Sequence, residues 1–186
     1  MFQKLRTLTQ TNGTVKHLDA DYEQLNIRGA VSLQQEVHLI KVSTHGHSSF
    51  YYPVTAQIFN SSGKLMVEEK LQSEQFDAIG IVKAAEIIAH HFHLKLSGES
   101  GIDRLRAENV VIEKDRITLL PLFKKILRCH TISGKHLQLS NTNAEFVEGE
   151  VVHVGENSVI GTLYYTDDYS IASSSKVHHI IRREKE

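Results

Sequence analysis

At 186 residues, with 40% hydrophobic and 23% charged residues, the chain has the make-up of one ordinary globular domain, long enough to bury a core. A formal net charge of −1 argues against a strong general attraction to nucleic acid or anionic membranes. The single cysteine, Cys129, excludes an internal disulfide; with no signal-peptide pattern and no apolar run of spanning length, a cytoplasmic location without membrane contact is the expectation.

Residues 1–34 are weakly patterned and read as an N-terminal extension. Phe2, Leu5 and Leu8 stand three apart, as at a short helix start, and Asn12-Gly13 signals a turn. The domain proper is expected over 35–186. Glu36 to Val42 is rich in β-branched residues and predicts a strand. After a His45–Ser49 loop, Phe50 to Phe59 and Lys64 to Leu71 predict a hairpin closed by Asn60-Ser61-Ser62-Gly63.

The next stretch, Ser73 to Leu94, predicts the one long helix. Ile81, Ala84, Ala85, Ile88 and Phe92 recur at helical spacing, and Ile79, Val82, Ile87 and Ala89 widen the stripe. Ser73 is placed to cap it, with Glu74 and Gln75 in its first turn. Gly80 costs such a helix roughly 1 kcal/mol against alanine, which a close backbone approach would justify. A helix apolar nearly all round has to be enclosed by other elements.

Beyond it, Asn109 to Ile112 and Arg116 to Leu120 predict short strands, with Pro121 ending the second. His136 to Leu139, Glu145 to Val154, Ser158 to Thr166 and Ile171 to Ile181 predict four more. Their gaps, at Asn141-Thr142-Asn143, Gly155-Glu156-Asn157 and Asp167-Asp168, are turn-sized, so consecutive strands are expected to pair antiparallel. The tail from Arg182 to Glu186 is charged and reads as frayed. No internal repeat is read. Strands, one long helix, then strands predict an α+β fold: a curved antiparallel sheet wrapped around a central helix, the hotdog architecture.

Residues 36–113 also carry a family resemblance. Glu36-Val37-His38-Leu39 is similar to the EVFL strand of the A-factor biosynthesis hotdog family. Gly80 to Ala85, leading to His90-His91-Phe92, is similar to that family's helix, which reads roughly ETVRQA and ends in H-x-F. Gly80, Lys83 and Ala84 stand where the family has glutamate, arginine and glutamine. The final strands resemble those of hotdog dehydratases and thioesterases. The resemblance implies a homodimer that binds or processes a fatty acyl or β-ketoacyl thioester. The acyl group would be carried on CoA or acyl carrier protein, as in fatty acid metabolism, with no resident cofactor.

Within the predicted helix, Lys83, Glu86 and His90 at i, i+3 and i+7 share a face. His90 is the candidate general base, held by Glu86 and assisted by Lys83. The plainer reading of the three is a solvent-facing ion-pair stripe. His45, His47, His90, His91 and His93 have no established metal-ligand spacing, so no metal site is expected. Cys129 reads as a buried structural thiol. Lys124, Lys125 and Arg128, and the pair Arg182-Arg183, read as solvated surface or as phosphate contacts. A competing reading takes residues 121–182 as an Sm-like barrel or interaction module binding RNA or protein. The tyrosine-lysine-histidine signature of such bacterial barrels would fall near Ser173-Ser174-Ser175, which lack it, so nucleic acid is not the expected partner.

Overall fold

The protein is described from a computed structural model, in which residues 6–19, 21–116 and 124–184 are placed. The described residues contain strands and turns and no helix. Among the described residues ten strands form one sheet in which every pair of neighbouring strands runs parallel. They are β1 (Thr7–Val15), β2 (Gln24–Leu33), β3 (Val37–Phe50), β4 (Val54–Leu96), β5 (Glu99–Lys114), β6 (Ile126–Ser133), β7 (His136–Leu139), β8 (Thr142–Val154), β9 (Val159–Ile171) and β10 (Lys176–Arg182). The chain coils about an axis, and each turn of the coil, or rung, lies on the one before. This is a parallel β-solenoid.

The period is close to 17 residues. Gln24 pairs with Lys41, Val37 with Val54 and Val159 with Lys176. It stretches to 18 between Lys83 and Gly101 and shrinks to 15 between Leu127 and Thr142. Rungs of equal length stack residue on residue, so each inward position becomes a column along the axis. One column runs Leu8, Leu25, Val42, Phe59. It continues through the stacked rings of Phe59, Phe76 and Phe92, at centroid spacings of 5.6 and 4.9 Å, to Val110, Leu137, Val152 and Tyr169. Offset or parallel ring stacking adds to the area these side chains bury. The core is this set of columns, and nearly all members are fully buried.

Glycine sets one corner. Gly29, Gly46, Gly63 and Gly80 follow one another at the 17-residue period, all at positive φ. A Cβ on Gly63 would stand 2.3 Å from the Gly46 carbonyl oxygen, and one on Gly80 would stand 1.8 Å from that of Gly63. Only glycine fits a left-handed turn with a backbone this close. Asn12 starts the column at φ 60 and its Oδ1 accepts the Ala30 N–H at 2.8 Å, a side-chain acceptor where the β1–β2 register slips between Thr11 and Gly13.

The α+β hotdog expectation is therefore wrong, and so is the family resemblance that supported it. Ser73 to Leu94 is strand throughout, part of β4. Its buried positions Ser73, Phe76, Ala78, Gly80, Val82, Ala84, Ile87, Ala89, Phe92 and Leu94 alternate at period two, with a one-residue slip at each corner the chain turns. Those slips produce spacings of three that imitate a helix. Ile81, Ala85 and Ile88, three of the five residues on the predicted apolar stripe, are only half-buried. The close approach invoked for Gly80 is present, to the neighbouring rung.

The Asn60–Gly63 hairpin and the antiparallel pairing fail for a related reason. Short gaps here are corners within one rung, and the hydrogen-bonding partner lies a full turn of chain away. The Sm-like barrel fails with them, since its strands would pair antiparallel. Several strand positions were right all the same: His136–Leu139 is β7, and the last three predicted strands overlap β8, β9 and β10. Phe2 and Leu5 of the short helix start, most of the Arg116–Leu120 strand, Pro121, and Lys185 and Glu186 of the tail lie outside the described residues.

Two glycines make a direct test. Gly63→Ala should lower the unfolding free energy by about 2–4 kcal/mol, because a methyl group would meet backbone at a strained φ. Gly101→Ala, whose Cβ would meet nothing within 4 Å, should stay within about 0.5 kcal/mol of the parent. Urea denaturation of both variants checks this; equal effects would refute the packing account of the corner.

Candidate functional site

Lys83, Glu86 and His90 now lie along a bent strand, and no hydrogen bond or ion pair links them to one another among the described residues. Glu86 reaches Arg104 one rung on, Oε1 to Nε 3.6 Å. His90 lies between the rungs on either side, with Nε2 3.4 Å from Glu74 and Nδ1 3.9 Å from Glu108. Glu108 also accepts a hydrogen bond from Lys135 Nζ at 2.9 Å, which is the main reason its carboxyl titrates below the ordinary glutamate range. Lys83 is exposed beside Glu99. With no central helix, the hotdog acyl-thioester site has no wall to be built on, and that functional expectation falls.

The remaining candidates disperse likewise. His93 pairs with Glu113 at 2.9 Å and Asp77 at 3.5 Å, while His91 bonds Asn109. Among the described residues no three or more His, Cys, Asp or Glu side chains gather as a metal site. Cys129 is buried, and burial pushes its thiol up to about 12, far from a reactive thiolate. Lys125 is also buried, its Nζ donating to the Asp115 carbonyl at 2.7 Å. Arg183 pairs with Glu148 and lies 4.0 Å over the Tyr164 ring. Arg128 donates from Nε to Glu99 Oε1 at 2.6 Å.

The feature that sequence reasoning missed is the last rung. Ile102, Cys129, Ala144 and Ile160 form a column that ends at Val177. Leu105, Ile132, Val147 and Leu163 lead to Ile180, and Ile112, Leu139 and Val154 lead to Ile171. With Tyr169, four core columns finish at this end. Their interior members are buried, whereas Ile180 is 40% and Tyr169 36% exposed, and Ile171 and Val177 are half-buried. Strand β10 pairs with β9 and with no other described strand, so its far edge of N–H and C=O groups has no strand partner. The 17-residue period was the available signal: counting by it from the buried columns reaches these residues.

No family model matches the chain, and no solved structure matches it. It is 33% identical over 102 residues to "Uncharacterized protein YhbE" of Bacillus subtilis (strain 168), a match covering 53% of this chain and 41% of that protein. The match thus spans less than half the length of its relative. No helix of the described residues is long and apolar enough to cross a membrane.

The Glu99–Arg128 pair gives a measurable signature. The Arg128 hydrogen bond, then its charge, hold the Glu99 carboxyl below the ordinary value of 4.5, with smaller help from Lys124 and Lys83. A depressed carboxylate pKa stabilises the fold above the ordinary range, and that contribution disappears as pH falls through the folded value. A carbon-detected NMR titration should find Glu99 titrating lower than exposed glutamates, and Arg128→Gln should move it up. An unmoved midpoint in the variant would show that the pair does not form.

Proposed function

We propose that this protein is an assembly module whose C-terminal rung binds a second copy of the same chain, tail to tail. The observation that carries the reading is the row of four core columns, ending at Tyr169 and Ile171 of β9 and Val177 and Ile180 of β10, that no described strand covers. Between the two ends of the described stack, what covers such a row is another rung of this chain. An end shaped like every interior rung is complementary to a rung, and the nearest source of one is a second copy. Covering an isoleucine or tyrosine fully is worth about 1.5–3 kcal/mol, so four half-covered side chains are a substantial driving force.

The arrangement follows from the two ends. At the other end the same layer presents Leu8 beside the polar Gln10, with threonines at positions 7, 9, 11 and 14. Of the two ends, the β10 end carries the exposed large apolar side chains, Tyr169, Ile180 and Ile181, which favours an isologous contact between two β10 ends. Lys176 and Arg182 on the same strand discourage indiscriminate edge pairing. They also repel across the two-fold, so added salt should tighten the dimer.

Sedimentation equilibrium over a wide concentration range tests this. The parent should dimerise. Ile180→Asp should weaken association by about 30–100-fold, the equivalent of losing roughly 2–3 kcal/mol of apolar contact. Its melting temperature as a monomer should change little, because Ile180 is 40% exposed and lies on the terminal strand. A parent that stays monomeric overturns the proposal. Open-ended filaments that survive Ile180→Asp would place the contact elsewhere.

A further inference from the structure

A second surface carries a separate inference. On the outward side, Lys83, Gly101 and Arg128 occupy the same position on three successive rungs. The middle position has no side chain, and a Cβ there would meet nothing within 4 Å. This leaves a notch floored by the Gly101 backbone, with Lys83 on one wall and Arg128 on the other. The two backbones are two rungs apart, about 10 Å at the usual spacing of paired strands. The notch opens into a groove also lined by Met66, Glu68 and Glu99.

Its charges are unevenly used. Lys83 and Lys124 are exposed and make no ion pair with a described residue. Arg128 engages Glu99 through Nε alone, which leaves its terminal N–H groups available. Two cations of the lining, Lys83 and Arg128, therefore face two carboxylates, Glu99 and Glu68, with Lys124 near enough to Glu99 to act on it by charge. A singly charged anion gains little against that pair of acids. A ligand with several negative charges and enough length to meet both walls gains at each. The arginine fork suits a phosphate geometrically, while lysine supplies a mobile point charge.

We propose that the notch over Gly101, between Lys83 and Arg128, binds the diphosphate group of a small molecule. One phosphoryl lies against the Arg128 guanidinium, the other reaches the Lys83 ammonium, and the glycine floor admits the bridging oxygen close to the backbone. Lys124 adds attraction from the rim. Glu99 competes for Arg128 and so sets the affinity. The site is independent of self-association through β10.

Inorganic pyrophosphate is the probe, titrated into the full chain at low ionic strength and followed by amide NMR and calorimetry. Shift changes should centre on positions 83, 101 and 128, and orthophosphate should bind more weakly. Lys83→Gln should weaken binding by about tenfold or more. Gly101→Val should abolish it by filling the notch without altering charge, at unchanged melting temperature. Glu99→Gln should tighten it, and Lys41→Gln, on a distant rung, should leave it intact. The site is refuted if pyrophosphate does not bind at millimolar concentration. It is equally refuted if Gly101→Val binds as the parent does, or if Lys41→Gln weakens binding as much as Lys83→Gln.

Discussion

Everything in this molecule depends on the in-register parallel stacking of one rung on the next. Backbone N–H and C=O groups point along the axis and are satisfied by the rungs on either side, so the interior strands leave few orphans. The same register turns isolated side chains into columns. Phe59, Phe76 and Phe92 stack because the backbone beneath them repeats. The glycine corner expresses the constraint most sharply, since the chain turns in a left-handed conformation with the neighbouring carbonyl where a side chain would be.

Polar chemistry obeys that geometry as well. The described ion pairs mostly cross from rung to rung: Glu74 and Glu108 on His90, Asp77 and Glu113 on His93, Glu99 on Arg128, Glu145 on His130. Each is exposed and contributes little alone. Together they disfavour a slipped register, in which like charges would meet. Inside, Thr44 Oγ1 donates to Ser61 Oγ at 2.9 Å, and Ser100 Oγ accepts the Val82 N–H at 3.0 Å. Small hydroxyls thus occupy inward positions where the coil needs a partner for a neighbour rather than bulk. Of the histidines that suggested chemistry, His90 and His93 are members of these cross-rung pairs.

The sequence made the strands legible and concealed their partners. Alternation marks His136–Leu139 and the later strands because a half-buried strand must alternate. It fails at Ser73 to Leu94 because corners interrupt the alternation once every few residues, as between Ala84 and Ile87 and again between Ala89 and Phe92. A window of helical length averages over those slips and finds a false stripe. The legible clue was longer-ranged: Gly29, Gly46, Gly63 and Gly80 at equal spacing, each a residue whose conformational freedom the corner requires. Rungs of 15 to 18 residues, and a 27-residue step from Glu99 to Ile126, blur that repeat in the second half. The candidate site was less legible still. Lys83 and Arg128 were each noticed, but they are 45 residues apart in the chain, and only register brings them to the two sides of Gly101.

A stack of this kind has one structural problem that an ordinary globule lacks. Each interior rung is covered by its neighbours, whereas the last described rung presents an edge that no described strand covers. Capping elements solve this in one way, and a second copy solves it in another. The β10 end has interior-type residues, Val177 and Ile180, at its column ends, with Arg182 two positions on from Ile180 and in register with Tyr165, and the proposed second copy would cover those apolar ends. The Gly101 notch is a different kind of feature, belonging to the side of the stack. From Arg128 to the end the register runs through Asn143 and Val159 to Lys176. Because contacts in a solenoid are nearest-neighbour, a ligand held at the notch and a partner held at the end perturb different rungs. Covering the end and filling the side are accordingly separable, which is the property expected of a rigid module that joins copies through one surface while keeping another free.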